Sequence, residues 1–314
     1  MCEPRYEPAV VGGRLRGEVV ENRLVGTYHS LTLGVEGWPG AQSGQFVMLQ
    51  ATRSTCFLSR PYSVSDETSV VHFLVDPVGQ GSRELCGLQP GHQVWVLGPL
   101  GRGFAAAGAL APAAAPRRAA ACPAAAAGTR RPGRLVVLAG GVGVAPMPLL
   151  LREVAGMLQV ARVQHRRNDR EWLRGGILLV AGFRSSREAA AVEVLEAGLD
   201  LLQSEGVDTR LEVTTEDGSR GRAGLVTDAV RAELGPEDVV VACGPTAMCR
   251  AVWQLCCRRG VQRAWFSLEA VMACGVGSCH GCVITRADGV PTRVCSEGPV
   301  FAGDGVFGRE EVEA

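Results

Sequence analysis

The chain has 314 residues, of which 46% are hydrophobic and 20% charged, and its 32 basic and 32 acidic side chains cancel to a net charge of zero. This length and apolar content suit two or three globular domains. The balanced charge gives no electrostatic reason to expect a nucleic acid or an anionic membrane as partner. No apolar run approaches the roughly 20 residues that span a bilayer, so we expect no membrane span.

The N-terminal segment and the cysteine content indicate a reducing compartment. Residues 1–8 contain acidic residues and prolines without an apolar core, so they do not resemble a signal peptide. Twelve cysteines could indicate a disulfide-rich secreted protein, but the chain is too long and too apolar for that class. We therefore expect a cytoplasmic protein that uses cysteines as thiolate ligands.

Residues 11–104 are predicted to form an antiparallel β-barrel. Short alternating apolar segments occur at 45–50, 70–75 and 93–97, separated by glycine and proline turns. Several strands at this spacing are typical of a small barrel.

Two polar segments of this predicted barrel are candidates for a nucleotide site. In Arg60-Pro61-Tyr62-Ser63 an arginine can grip a diphosphate and the next residues can line an aromatic ring system; the alternative is a strand with one surface arginine. Gly79-Gln80-Gly81-Ser82 precedes a predicted helix start at Arg83, where glycines and a hydroxyl can form an anion site. The alternative there is a turn with an N-cap serine.

Residues 105–133 change in composition. They are mostly alanine with proline, arginine and glycine, and the prolines interrupt any helical pattern. We predict a flexible insertion or linker between domains. Cys122 lies within it and is expected to have no role in binding.

Residues 134–264 are predicted to form an α/β domain. Apolar segments typical of buried parallel strands occur at 134–139, 177–182, 210–214 and 239–243. Helical patterns lie between these segments, which predicts βαβ units and a parallel sheet. Ligands of such sheets bind at the carboxyl ends of the strands.

Two segments of this domain follow predicted strands and are candidates for a dinucleotide site. Gly140-Gly141-Val142-Gly143-Val144-Ala145-Pro146 has the layout of strand, glycine turn and helix start, although it departs from G-x-G-x-x-G; the alternative is only a tight turn. Cys243-Gly244-Pro245 follows the last clear strand, where Cys243 could face a nicotinamide or be a small buried apolar residue. Residues 183–188 carry both charge signs, so they do not distinguish NAD from NADP.

Four cysteines near the C-terminus have the spacing C-x4-C-x2-C-x12-C, which is the plant-type 2Fe–2S arrangement. Glycine and serine between them let the chain wrap closely around a cluster. A zinc site, disulfides and chance clustering are the alternatives. We expect a cluster module at 265–303, with His280 exposed or contacting a partner, and a tail from residue 303 onward.

The order of these segments resembles the ferredoxin–NADP reductase superfamily. The C-terminal module is similar to the electron-transfer subunit of the NAD-dependent, two-subunit dihydroorotate dehydrogenase. Outside residues 105–133, which depart from the family pattern, the resemblance covers most of the chain. The segments that carry it are Arg60-Pro-Tyr-Ser63, Pro99-Leu-Gly-Arg-Gly-Phe104, Gly140-Gly-Val-Gly-Val-Ala-Pro146, Cys243-Gly-Pro245, Ser267-Leu-Glu-Ala270, 272–282 and 293–301.

The resemblance implies a multi-domain fold, with an antiparallel flavin-binding barrel, a parallel-sheet nucleotide-binding domain and a small 2Fe–2S module. It also implies FAD in the barrel and NAD in the second domain as electron acceptor. The residues implied at the FAD and NAD sites are Arg60, Pro61, Tyr62, Ser63, Gly81, Ser82, Gly141, Gly143, Ala145, Cys243, Gly244 and Pro245. The implied cluster ligands are Cys274, Cys279, Cys282 and Cys295.

The function implied by the resemblance is electron transfer in pyrimidine biosynthesis. A catalytic subunit with its own FMN oxidises dihydroorotate, and electrons pass through the cluster and FAD to NAD, in a heterotetramer of two plus two subunits. No residue of this chain is expected to be an acid–base catalyst, since the cofactors carry the chemistry. The alternatives are a related subunit of a sulfide dehydrogenase, ferredoxin–NADP transhydrogenase or hydrogenase, a stand-alone flavin or oxygenase reductase, and a zinc-binding module.

Overall fold

The computed structural model describes residues 13–110, 133–164 and 173–308. Most of the predicted insertion at 105–133 therefore lies outside the described residues, as does Cys122.

The N-terminal part forms an antiparallel barrel, as predicted. Its sheet has the strand order β4-β3-β7-β1-β2-β6-β5, and a short helix, α1, precedes the last strand. The predicted segments 45–50, 70–75 and 93–97 correspond to β3, β6 and β7. The elements are β1 (Leu15–Val25), β2 (Tyr28–Val35), β3 (Phe46–Ala51), β4 (Arg60–Ser63), β5 (Asp66–Glu67), β6 (Val71–Val75), α1 (Gln80–Cys86) and β7 (Gln93–Leu100).

Alternation along the barrel strands explains why they form a closed core. Leu31 and Leu33 on β2 are completely buried, and so is Phe73 on the neighbouring β6. Val47 and Leu49 on β3 pack into the same core. Because strand side chains alternate between faces, residues two apart share the inner face and bury together.

The second sheet has the strand order β11-β10-β9-β8-β12-β13-β16. Its strands are parallel except β16, which pairs antiparallel with β13. A separate hairpin is formed by β14 and β15. The strands are β8 (Leu135–Gly140), β9 (Ile177–Phe183), β10 (Thr209–Thr215), β11 (Arg222–Ala223), β12 (Val239–Cys243), β13 (Arg263–Ser267), β14 (Val283–Thr285), β15 (Pro291–Arg293) and β16 (Val300–Ala302).

Helices cover both faces of this sheet, as expected for an α/β domain. The four predicted strand segments correspond to β8, β9, β10 and β12. Two 3-10 helices, Gly141–Val144 and Glu188–Leu195, follow β8 and β9. The α-helices are α2 (Met147–Val163), α3 (Glu196–Ser204), α4 (Val226–Val230), α5 (Thr246–Arg258), α6 (Val294–Glu297) and α7 (Gly303–Phe307).

One segment corrects the expectation that no apolar run approaches the length of a membrane span. Within the described ranges, Gly141–Val163 is long and apolar enough to cross a membrane, by length and composition only. Of its most apolar window, 67% is buried inside the structure. Leu150, Leu151 and Val154 of this segment pack in the core between the sheet and α3, so the burial is that of a core helix.

Three expected boundaries differ from the structure. Ala109 and Leu110 are buried in the core of the second sheet and Ala107 packs against it, so the described start of the expected linker is packed structure. The expected boundary at 264/265 falls inside β13, which is hydrogen-bonded to β12. The expected tail begins with α7, where Phe307 packs edge-on against Phe266. The alanine-rich composition of 105–110 gave no periodic signal, yet its last residues pack against the sheet.

The barrel contacts the second domain through apolar packing, with Leu149 of α2 in the barrel core and Tyr28 and Leu74 of the barrel in the core of the second sheet. It also contacts α2 through hydrogen bonds and an ion pair. Arg152 donates two hydrogen bonds of 2.6 Å to the carboxylate of Asp66. Glu153 accepts from the backbone and hydroxyl of Ser43, at 2.7 and 2.6 Å. The Leu149 amide donates a further hydrogen bond to the carbonyl of Ser65, the residue just before β5. We call this contact the polar junction.

The barrel contacts the C-terminal segment through a different surface. Phe46, Met48 and Leu100 on β3 and β7 pack with apolar residues from that segment in one buried cluster. We call this contact the apolar junction. Its members from the C-terminal segment are Met272, Cys282, Val294 and Cys295.

Candidate functional site

The four predicted cluster cysteines come together as two pairs. The Cys274 thiol lies near that of Cys279, and the Cys282 thiol lies near that of Cys295. Among the described residues no group of three or more His, Cys, Asp or Glu side chains surrounds a single ion position. In a 2Fe–2S cluster of this cysteine spacing, each iron would take two of the four thiolates.

Backbone amides point at all four sulfurs. The Gly277 amide donates to the Sγ of Cys295 at 3.1 Å, and the Gly281 amide to the Sγ of Cys279 at 3.4 Å. The Sγ of Cys274 accepts hydrogen bonds from the amides of residues 276 and 279, and the Sγ of Cys282 accepts one from the amide of residue 295, at 3.4–3.5 Å. Gly277 has φ +83°, a conformation that favours glycine and lets the loop turn its amides inward. These donors stabilise the negative charge of thiolates, so the loop fits an iron–sulfur cluster.

The two pairs differ in exposure and acidity. Burial alone would raise the pKa of Cys274, but amide hydrogen bonds from Cys279 and residue 276 outweigh it and lower the pKa to about 7. Burial and the neighbouring Cys282 raise the pKa of Cys295 to about 12. Cys279 is exposed, whereas Cys282 and Cys295 are buried. Cys279 therefore faces solvent, Cys274 is half-buried, and Cys282 and Cys295 face the barrel.

His280 is exposed within this loop, which is the first of the two positions expected for it. It has φ +57° and is the one non-glycine residue with positive φ among the described residues. Histidine tolerates this left-handed region better than most residues. The cysteine spacing carried no signal of this backbone conformation.

The segment Arg60–Ser63 forms β4 at the edge of the barrel sheet. All four residues are half-buried, whereas β3 beside them is almost entirely buried. Tyr62 packs against the barrel core, and burial raises its pKa above the usual value. An edge strand with partly open faces leaves room for a ligand along its length.

The two predicted barrel motifs meet at Arg60 and Gly81. A Cβ added to Gly81 would lie 3.5 Å from the Nε of Arg60, so the guanidinium group lies over the first turn of α1. The same guanidinium donates to the Leu58 carbonyl at 2.7 Å. A cationic group beside a helix turn without side-chain bulk fits the diphosphate of a dinucleotide.

The structure corrects the predicted start of α1. The helix begins at Gln80, three residues before the predicted start at Arg83. Ser82 is therefore the third helical residue and not the N-cap. Its hydroxyl is engaged with the backbone of Gly79, accepting from the amide at 2.9 Å and donating to the carbonyl at 3.0 Å. This capping interaction stabilises the turn over which Arg60 lies.

The predicted dinucleotide turn lies where the strand order of the second sheet reverses. In a sheet of this kind, the crevice at the carboxyl ends of strands β8 and β12 is the expected ligand position. A Cβ on Gly143 would lie 2.3 Å from the carbonyl oxygen of Cys243, and one on Gly244 2.7 Å from the Cε of Met248. Gly141 has φ +56°, and a Cβ added to it would lie 3.6 Å from the hydroxyl of Tyr28. The turn thus requires glycine for close approach.

The other predicted residues of this domain differ in accessibility. Cys243 is only 3% exposed, and burial raises its pKa well above the usual value, with Ser267 in hydrogen-bond contact. This matches the alternative of a small buried residue. Ala145 is also buried, and its amide donates to Val142 at 2.9 Å. Pro245 is exposed at the mouth of the crevice.

In the segment after β9, the basic residue Arg184 and the acidic residue Glu188 lie close together. The Arg184 amide donates to the carboxylate of Glu188 at 3.0 Å, and the Ser186 amide donates to Ser219 at 2.7 Å. Two residues that touch the predicted motifs were not predicted from the sequence: Tyr28 and Met48. Each touches a motif residue from a distant part of the chain, and no local pattern could indicate that contact.

Two family models match the chain. The model described as "Iron-sulfur cluster binding domain of dihydroorotate dehydrogenase B" matches residues 269–307, which contain all four cysteines. The model described as "Oxidoreductase NAD-binding domain" matches residues 137–254, which contain the glycine turn and the segment 243–245.

Curated relatives match along almost the whole chain. A protein from Listeria monocytogenes serovar 1/2a named "Dihydroorotate dehydrogenase B (NAD(+)), electron transfer subunit" is 31% identical, covering 92% of this chain and 96% of its own length. A protein of the same name from Caldanaerobacter subterraneus subsp. tengcongensis is 30% identical with the same coverage. A third, from Bacillus velezensis, is 31% identical over 84% of this chain and 87% of its own length.

Solved structures share the fold at lower identity. An NADH-dependent reduced ferredoxin-NADP oxidoreductase has a TM-score of 0.67 and 23% identity, covering 94% of this chain and 91% of its own. A ferredoxin reductase in carbazole 1,9a-dioxygenase has a TM-score of 0.58 and 19% identity, covering 85% and 72%. At these identities the likeness shows the fold alone, and it confirms the predicted arrangement of barrel and α/β domain.

Proposed function

The chain belongs to the family of electron-transfer subunits of dihydroorotate dehydrogenase B (NAD(+)), and from that membership we propose that it passes electrons from a separate dihydroorotate-oxidising subunit to NAD. The chain is an oxidoreductase subunit, with FAD, a 2Fe–2S cluster and NAD as its cofactors. When bound, the cluster supplies one-electron transfer, FAD exchanges between one- and two-electron chemistry, and NAD accepts a hydride. The chain's own residues bind, orient and shield these groups.

A short contact path between the cluster loop and the flavin strand carries the proposal. A Cβ on Gly275 would lie 2.6 Å from the Cγ of Met48, so the cluster loop rests directly on this side chain. Met48 on β3 is the cross-strand partner of Pro61 on β4. Neighbouring strands lie about 4.8 Å apart. One buried side chain and one strand pair therefore separate the cysteine loop from the strand proposed to hold FAD.

The residue roles follow from this placement. Cys274, Cys279, Cys282 and Cys295 hold the cluster, and the exposed Cys279 marks the side at which electrons enter from a partner. Arg60 neutralises the FAD diphosphate over the first turn of α1. The further residues proposed to line the FAD site are Pro61, Tyr62, Ser63, Gly81 and Ser82, of which Ser82 acts by capping the turn.

The NAD site is proposed at the crevice beyond β8 and β12. Gly141 and Gly143 keep the turn free of side chains so that a dinucleotide can approach the backbone. Ala145, Gly244 and Pro245 shape its walls. Cys243 acts from below as a buried packing residue, since its side chain is covered.

The domain limits are proposed with three changes from the sequence-based expectation. The flavin barrel is retained at 11–104. The α/β domain is extended to include 105–110 and β13, because both pack or pair with its sheet. The cluster module then follows β13, and its last elements, β16 and α7, return to pair with β13 and to pack on this sheet.

The partner is proposed to be an FMN-containing catalytic subunit, in a cytoplasmic heterotetramer of two subunits of each kind. The relatives' printed name, electron transfer subunit of dihydroorotate dehydrogenase B, supports a catalytic partner. The exposure of Cys279 supports contact with the partner at the cluster loop, because electron transfer between subunits requires a cluster near the subunit surface.

Co-purification with reconstitution tests this function. The chain is purified with its native partner, and the complex is mixed with dihydroorotate and NAD. We expect flavin and iron–sulfur absorption in the chain and NADH formation from the complex. Absence of flavin from the chain, or a partner that reduces NAD with sulfide or hydrogen but not dihydroorotate, would overturn the assignment. Iron and zinc analysis of the chain separates the cluster from a zinc module.

A further inference from the structure

Phe57 is the most exposed large apolar residue in the described part of the chain. It is also the only aromatic residue among the exposed large apolar residues there. Its side chain is 93% exposed, and the adjacent Leu58 is 40% exposed. Single exposed apolar residues are common on protein surfaces and need no explanation by themselves. The surroundings of Phe57 distinguish it from that ordinary case.

The backbone around Phe57 is held in place from two sides. On one side, Gln50 of β3 donates through its side-chain amide to the carbonyl of Cys56 at 2.6 Å. On the other side, Glu84 of α1 accepts from the hydroxyls of Ser54 and Thr55. These hydrogen bonds lower the pKa of Glu84, and the bond from Ser54 has a larger effect than the bond from Thr55. The carboxylate is therefore charged at neutral pH. A fixed loop thus presents a bare phenyl ring to solvent.

The same loop is joined to the proposed diphosphate site. Gln80, the first residue of α1, donates to the Thr55 hydroxyl at 2.6 Å. The Arg60 guanidinium donates to the carbonyl of Leu58, the residue next to Phe57. Three residues of chain span at most about 11 Å, so Phe57 lies within that distance of Arg60 along the backbone.

The direction of β4 decides which half of FAD would reach Phe57. Tyr62 and Ser63 are proposed to line the flavin ring, and Arg60 the diphosphate. In FAD the diphosphate joins the flavin half to adenosine, so an extended FAD places these two halves on opposite sides of the diphosphate. With the flavin on the C-terminal side of Arg60, the adenosine continues to the N-terminal side, toward Phe57.

We propose that Phe57 stacks on the adenine ring of FAD and makes this chain selective for FAD over FMN. The inference rests on the proposed function, since it takes the diphosphate position at Arg60. An adenine has an uncharged aromatic face, which suits a phenyl ring that no other residue covers. The fixed loop loses little conformational freedom on binding, so the contact is pre-organised.

Flavin titrations of the full chain test the proposal. The bound flavin is removed, and FAD and FMN are titrated separately into wild type and Phe57→Ala while flavin fluorescence is followed. Base–aromatic stacking predicts a rise of about 5- to 150-fold in the Kd for FAD. The Kd for FMN stays unchanged, because FMN lacks adenosine. Phe57→Tyr, which keeps the ring, retains wild-type FAD affinity.

Val163→Ala is the matched control, because Val163 is also a strongly exposed apolar residue but ends α2 on the other domain. It changes neither Kd. Cluster absorption reports that each variant is folded. Equal weakening of FAD and FMN in Phe57→Ala would show loop distortion and overturn the proposal. Unchanged FAD affinity with weaker capture of the catalytic subunit would also overturn it and assign Phe57 to docking. Wild-type protein that binds no flavin would instead refute the proposed function itself.

Discussion

The barrel is held on two sides by junctions that differ in their polar contacts. The polar junction joins it to α2 through Arg152–Asp66 and Glu153–Ser43, whose geometry is directional. The apolar junction joins it to the cluster module through tightly packed side chains that include two cluster cysteines. Directional hydrogen bonds set the orientation of the domain that carries NAD. Apolar packing shields the inner side of the cluster from water and lowers the local dielectric.

The difference shows that only the cluster ligands on the barrel side also contribute to the packing of the fold. Cys282 and Cys295 belong to the buried apolar junction, whereas Cys279 is exposed. Removing the exposed ligand should therefore separate the loss of the cluster from damage to the barrel. Removing a buried ligand should cause both.

The largest effect is expected for Cys279→Ser. We expect loss of the cluster's visible absorption and of NAD reduction with dihydroorotate, while FAD remains bound in the barrel. Absorption spectra and flavin release measure both. The comparison variant is Cys282→Ser, which we expect also to lower thermal stability because it lies in the apolar junction. Loss of flavin from Cys279→Ser with the cluster intact would contradict the assigned roles of the two regions.

The next largest effect is expected for Met48→Ala in the apolar junction. Met48 is buried beneath Gly275, so truncation leaves a cavity and should cost about 2–5 kcal/mol of unfolding free energy. Urea denaturation measures this cost. Met48→Leu, which nearly conserves volume, should cost less than about 1.5 kcal/mol. Equal stability of Met48→Ala and wild type would show that the cluster module is not packed on β3.

A smaller effect is expected for Gly277→Ala within the cluster loop. Forcing alanine to φ +83° should cost about 1–2 kcal/mol and weaken the amide bond to Cys295. Losing a donor to a sulfur disfavours the more negative reduced cluster, so the reduction potential should fall. An EPR-monitored redox titration measures it. Gly289→Ala, at φ +79° with open space around the added Cβ, should show the strain without the change in potential.

Arg152→Gln should have a modest effect on the polar junction. The Arg152 side chain is 39% exposed, so solvent screens the pair with Asp66 and its loss should cost about 1 kcal/mol or less. Denaturation at low and high salt measures the cost, which should shrink as salt rises because the pair is screened. A cost that does not depend on salt would indicate lost packing of the arginine stem instead.

The smallest effect is expected for Glu153→Gln, and it depends on pH. Burial raises the pKa of Glu153, and Ser43 opposes this through hydrogen bonds. A carboxyl with a raised folded-state pKa contributes stability at low pH that is lost as pH rises through that pKa. Stability of the wild type should therefore decline from acidic to neutral pH more than that of Glu153→Gln. Parallel urea curves across this range would contradict the assigned burial.

Much of the fold could be predicted because its signals are local. Apolar runs at 177–182 and 239–243 became β9 and β12 with ends shifted by at most one residue. The cysteine spacing predicted a cluster loop whose sulfurs now form two pairs. The start of α1 was placed three residues late, because the capping of Gly79 by Ser82 resembles a turn preceding a helix. Residues 105–110 were taken for linker because they begin an alanine- and proline-rich stretch without a helical pattern, and residues 303–307 were taken for a tail.

The sequence by itself determined the order of the modules and the chemistry of their motifs. Strand alternation, glycine turns and cysteine spacing are written within a few neighbouring residues, and local sterics decide them. Only the tertiary structure decided which motifs touch. Arg60 over Gly81, Met48 beneath Gly275 and the two junctions of the barrel each join residues far apart in the chain. Such contacts arise from packing of whole sheets and helices, so no short segment encodes them.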